Sequence, residues 1–150
     1  MKKFHFSLDG VLSYKQQILE ALQSEHGAIV ARVRAQEDKL SSCWTGYHAY
    51  NKEYCDKVKI GLAITDALIY QSGLRARERE IQQETLVLEN LRKEEEKKRE
   101  EVVEAKKEST SIEKLKDKKL AAYHKEVSKS EEQFVEDFVS MTRVMKSVGV

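Results

Sequence analysis

From Leu12 to Tyr54 a ladder of alternating three- and four-residue steps runs through Lys15, Leu19, Leu22, His26, Ile29, Val33, Gln36, Leu40, Cys43, Tyr47 and Tyr50. Such steps keep side chains on one stripe of an α-helix, and over about six heptads they amount to coiled-coil patterning. A second ladder follows through Tyr70, Leu74, Arg77, Ile81, Glu84, Leu88, Leu91, Glu95, Lys98, Val102, Ala105, Ser109 and Ile112. The polar members Lys15, His26 and Gln36 weaken the seam locally and help to set its register. No proline interrupts either run, so the strongest helix breaker is missing.

Between the ladders, "KVKIGLAITDALIY" reads as a reversal. Gly61 suits the left-handed position past a helix end. Thr65 can cap the next helix, with Ile64 and Ile69 as a hydrophobic staple. Gly73 in "YQSGLR" is a rival end point with no cap behind it. At the other end of the first helix, Ser7 is a candidate N-cap and Phe6 a staple partner for Val11. The charge run "LRKEEEKKREEVVEAKKE" offers Glu94–Lys98 and Glu95–Arg99 pairs and reads as a solvated face. Thr110 and Glu113 in "STSIE" have capping-box spacing, but the apolar spacing carries through them, so continuity is expected. The chain is expected to be all-α: one long antiparallel two-helix coiled-coil hairpin, helix 7–60, turn 61–65, then a longer helix 66–146.

Length adds a geometric expectation. Helical rise makes the first arm ~80 Å and the second ~120 Å. With the turn near residue 63, facing residue numbers add to roughly 126, so residues beyond about 119 lack an intrachain partner. That overhang is not polar: Leu120, Tyr123, Val127, Phe134, Phe138, Met141 and Met145 keep the spacing, with Val135, Val139 and Val144 beside them. An unpaired helix of that kind implies a receptor, self-association or folding back.

Charge and motifs narrow the chemistry. With 27 basic and 26 acidic residues and a formal charge of +1, the chain lacks the basic footprint of a general nucleic-acid binder. No stretch approaches the ~20 apolar residues of a membrane span, and "MKKFHFSLDGVL" has no apolar run of a secretory signal. Cys43 and Cys55 on one helix are ~18 Å apart, too far for a disulfide, which suggests reduced thiols and a cytoplasmic setting. Phosphate-cradling glycine loops are missing, and Cys43, His48 and Cys55 do not match zinc spacing. No metal, cofactor or enzyme activity is expected, because an extended hairpin has no concave pocket to tune a pair of carboxylates. The rings of "GYHAYNKEYC" leave two readings open. Tyr47, Tyr50 and Tyr54 fit the seam, yet with Trp44 and Arg77 they also have the composition of an interface hot spot.

Three stretches carry a resemblance. "MKKFHFSLDGVLSYKQQ", "ALIYQSGLRARERE" and "SIEKLKDKKLAAYHKE" resemble segments of FliJ-family flagellar export proteins, touching both ends and the middle of the chain. "FVEDFVSMTRVMKSVGV" departs from the family's acidic ending by being more apolar. The resemblance implies a cytoplasmic component of the flagellar type III export apparatus, peripheral to the cytoplasmic face of the cell membrane at the flagellar base. It implies a stalk-like antiparallel coiled coil that binds a hexameric export ATPase and the membrane export gate, with links to export chaperones. On that basis Phe4, Phe6, Leu120, Tyr123, Val127, Phe134, Phe138 and Met141 are expected to meet the ATPase ring. Trp44, Tyr47, Tyr50, Tyr54, Tyr70, Leu74 and Arg77 are expected to meet the gate. The stalk protein of a virulence secretion system and a general structural coiled-coil adaptor are the alternatives.

Overall fold

A computed structural model describes residues 2–149; among them are two helices and no strand. Helix α1 is Asp9–Ile60, 52 residues, and α2 is Ile64–Val148, 85 residues. The all-α expectation holds, and the second helix is the longer one. Gly61 adopts a φ of 113°, a conformation that side-chain-bearing residues rarely take. Its N–H closes on the Lys57 carbonyl at 3.1 Å, which ends α1 in the αL manner. Lys57 and Lys59 lie in the last turn, where cations oppose the helix dipole.

The expected caps are displaced. Leu8, not Ser7, accepts the first intrahelical bond, from Leu12 N–H at 2.8 Å, and Ala63 plays the same part for Ala67 at 2.9 Å. Gly61, Leu62 and Ala63 make up the whole turn, so Thr65 falls inside the first turn of α2 rather than before it. The two staples do not form either. Val11 is exposed while Phe6 is buried, and Ile64 and Ile69 both face solvent.

The chain divides into two compact units, Glu20–Val103 and Met1–Leu19 with Glu104–Val150. The first, here the turn unit, pairs α1 with α2 in antiparallel fashion, Glu25 meeting Lys98 and Tyr47 meeting Glu78. Its ladder residues are the ones that lose solvent: Ile81, Leu88, Leu91 and Gln36 are buried, and the others half-buried. Polar ladder members are answered across the seam. The Gln36 amide donates to the Glu84 carbonyl at 3.1 Å and to the Glu84 carboxylate. That donation, joined by Lys39 at 3.0 Å, holds the Glu84 carboxyl below its usual range. His26 Nε2 lies 2.8 Å from Glu95.

The Glu94–Lys98 and Glu95–Arg99 pairs expected within the charge run give way to three cross-helix contacts and one i,i+3 pair. Lys98 bonds Glu25 and Glu101, Glu95 takes His26, and Glu94 lies 3.6 Å from Arg32. Pairs this exposed are worth about 0–1 kcal/mol each, so they set register more than they stabilise.

In the second, terminal unit, Leu12 and Leu19 of α1 and Ala105 and Ser109 of α2 are the buried ladder positions. Ser109 is 2% exposed within a continuous helix, so "STSIE" is a seam of small residues rather than a break. Asp9 pairs with Lys116 at 2.8 Å and Lys15 with Glu108 at 2.7 Å. Residues 2–6 are not helical, and they correct the expected limit of pairing at residue 119 by carrying it to Tyr123, while residues 128–149 stay exposed apart from Thr142. The Tyr123 hydroxyl donates to the Lys2 carbonyl at 2.9 Å, and Phe4 tilts onto Tyr123 at 5.6 Å. Extended backbone advances up to ~3.3 Å per residue against ~1.5 Å in a helix, so a short strap reaches further along α2 than helical counting allows.

Candidate partner-binding surfaces

Two surfaces follow from these packings, one in each unit. In the turn unit the aromatic residues separate into a seam and a groove. Tyr70 stacks on Tyr54 at 5.4 Å and tilts against Tyr50 at 5.2 Å. The guanidinium of Arg77 lies 4.1 Å from the Tyr50 ring centre. The Tyr70 hydroxyl donates to Glu53 at 3.0 Å, which, with Lys57, holds that carboxyl below its usual range. Tyr50, Tyr54, Tyr70, Leu74 and Arg77 are all half-buried. They form a polar-tipped seam beside the turn.

Gly73, the rival turn, proves to be a seat for Tyr50. A Cβ added there would lie 2.7 Å from Tyr50 Cζ and 2.8 Å from Cε1, well inside van der Waals contact. The residue is needed for close approach, not for bending.

Trp44 and Tyr47 belong to the other part. Trp44 is 44% exposed, meeting Tyr47 edge-on at 5.8 Å and stacking on His48 at 5.5 Å. Tyr47 donates to Glu78 at 3.2 Å, a bond that raises the phenol's pKa. These two rings, with Ile81, Gln82, Thr85 and Leu86, line a groove of about 600 Å³. Leu86 is itself exposed. It stands off the seam ladder, so an apolar residue out of register was the sequence signal for this wall. Cys43, close by, is held as a thiol by burial, which raises its pKa; an unreactive sulfur suits packing rather than chemistry.

In the terminal unit the residues expected to meet one ring divide as well. Phe6 is 1% exposed, and Leu120, Tyr123 and Val127 are half-buried; Phe4 is occupied by Tyr123. Further along, Phe134 (72% exposed), Phe138 and Met141 stand in solvent with Val144 and Met145. This stripe of α2 is the largest uncovered apolar face of the terminal unit. Among the described residues no cluster of His, Cys, Asp and Glu could hold a metal, and no helix is long and apolar enough to cross a membrane.

The family model described as flagellar FliJ protein matches residues 4–146. No curated protein and no solved structure matches the chain.

Proposed function

Because the chain belongs to the FliJ family of flagellar proteins, a component of flagellar type III export, we propose that it acts there as a stalk-like coiled coil. In this reading it binds the hexameric export ATPase and the cytoplasmic domain of the membrane export gate. It is not itself an enzyme; it modulates the ATPase. It works in the cytoplasm, peripheral to the membrane at the flagellar base, within reach of export chaperones.

The observation that carries the ATPase contact is the exposed stripe Phe134, Phe138, Met141, Val144 and Met145. An apolar helix face this large, with polar residues on the opposite side, is a groove- or ring-seeking element. Phe6 and Tyr123 are taken up within the strap contact and lie outside this stripe. Phe138→Asp should abolish co-purification with the export ATPase and the stimulation of its hydrolysis, with helicity by circular dichroism unchanged. Undiminished stimulation would sink the assignment.

The gate contact falls to the Trp44 groove. A half-exposed Trp beside a Tyr, flanked by a pocket wall, is the composition of an interface anchor. Trp44→Ala should weaken binding of the gate's cytoplasmic domain by more than about 1 kcal/mol and leave ATPase binding intact. Equal gate affinity in titration calorimetry would move the contact elsewhere.

A further inference from the structure

Opposite its packed face, α2 carries a second row that neither surface uses. Lys107, Lys114, Lys118, Lys125 and Lys129 follow one another by seven, four, seven and four residues, all within the terminal unit and all exposed. Such steps drift by only about 40° in total, so the five lysines form a straight row ~33 Å long on one line of the helix. Phe134 is nine residues beyond Lys125, a rotation of about half a turn, so the apolar stripe faces the other way.

Among the described residues no carboxylate across the seam answers this row, although Glu104, Asp117, Glu126 and Glu132 lie three residues from Lys107, Lys114 and Lys129 on the same helix. Lys116, Lys98, Lys39 and Lys15 all reach a carboxylate across the seam; none of the five forms an ion pair among the described residues. Lys118 and Lys125 have no acid three or four residues away on either side. Lys114 with Lys118, and Lys125 with Lys129, are instead like charges at i,i+4, which disfavour the helix. Between Lys118 and Lys125 this face holds only Ala121 and Ala122, where a merely solvated face would interleave acids, as "KEEEKKREE" does. Repulsion kept along one line points to an anion outside the chain.

We propose that this row binds an anionic lipid surface. A straight line of charges on a rigid helix meets a plane along its whole length. Ser111, Ala121, Ala122 and Ser128 beside it are small, and no aromatic ring stands three or four residues from any of the five to anchor a protein partner. All five are lysine, a point charge suited to a diffuse field, with no arginine to fork onto a particular phosphate or carboxylate. The inference rests on the membrane-peripheral part of the export reading but uses a face that neither proposed protein contact uses, so its failure would leave those contacts standing.

Vesicle flotation of the full chain tests it. Binding should appear on phosphatidylcholine vesicles containing one-third phosphatidylglycerol and not on phosphatidylcholine alone, and should fade in half-molar salt as screening shortens. Each lysine near an anionic surface contributes about fivefold. Lys114→Gln, Lys118→Gln, Lys125→Gln and Lys129→Gln together should therefore lower the partition coefficient at least a hundredfold. A control set, Lys52→Gln, Lys59→Gln, Lys93→Gln and Lys97→Gln, removes the same charge from the turn unit and should cost less than tenfold. The four-lysine row variant should melt no lower than the parent, because glutamine keeps helix propensity and the like-charge pairs are gone. Equal losses in the two sets would reduce the effect to net charge and overturn the proposal. So would binding to a short DNA duplex or polyglutamate as tight as to the vesicles and equally dependent on the row, or no vesicle binding at all.

Discussion

Replacing Phe6 with Ala is expected to destabilise the terminal unit by about 3–5 kcal/mol, the range for deleting a fully buried aromatic side chain. Everything else that ties the strap to α2 is weak by comparison. Asp9–Lys116 is largely exposed, and such a pair contributes about 0–1 kcal/mol. Phe4 on Tyr123 and the Tyr123 hydroxyl on Lys2 are a single ring pair and a single hydrogen bond. Phe6 alone is 1% exposed, with the ammonium groups of Lys116 and Lys119 6.0 and 5.8 Å from its ring centre. Urea unfolding should show the loss, and hydrogen exchange should show faster exchange of the Phe6-bonded amide of Asp9 together with residues 116–123. Phe138→Ala is the matched comparison: the same deletion at an exposed position should stay within about 0.5 kcal/mol of the parent. A Phe6→Ala cost below that of Phe138→Ala would mean that the strap is not held by this ring.

The contrast between these phenylalanines also marks how far the sequence could be read. Both ladders came out residue for residue as buried or half-buried positions, down to Gln36 and Ser109, because a three-four spacing is a statement about helix geometry and needs no knowledge of the partner. The exposed Phe134–Met145 stripe was legible for the same reason. What spacing does not contain is the behaviour of non-helical backbone, so the strap's reach to Tyr123 was missed and Phe6 was read as a docking residue. Thr65 does not cap α2 because Gly61 decides where that helix can restart, and Ser7 does not cap α1 because the helix begins one residue later, at the Leu8 carbonyl. Glu94 and Glu95 were given partners on their own helix. In three dimensions Arg32 and His26 stand nearer, and local spacing carries no information about them. Spacing alone does not separate the rings: Tyr50 and Tyr54 interlock with Tyr70, while Tyr47 lines a groove with Trp44.

The seam half of that division has a decisive test in Tyr50 and Gly73. Gly73→Ala would ordinarily stabilise a helix interior by about 0.5–1 kcal/mol. Here the new methyl would sit 2.7–2.8 Å from the Tyr50 ring, which must then leave its place on Tyr70 and under Arg77. Overpacking of this kind costs about 1–3 kcal/mol, so Gly73→Ala is expected to destabilise the turn unit despite its better propensity. Tyr50→Ala removes a half-buried ring and is expected to cost about 2–3 kcal/mol, less than the 3–5 kcal/mol of a fully buried aromatic. In the double variant the clash has no second party, and the alanine at 73 can contribute its propensity. The double should therefore be more stable than Tyr50→Ala alone, with a coupling of at least about 1 kcal/mol in favour of the pair. Additive losses would show that Tyr50 does not rest on Gly73 and would return the ring to solvent, where an interface role could be sought. Gate affinity measured on the folded double variant separates the two halves: if Trp44 is the anchor and Tyr50 the seam, binding persists once stability has been restored.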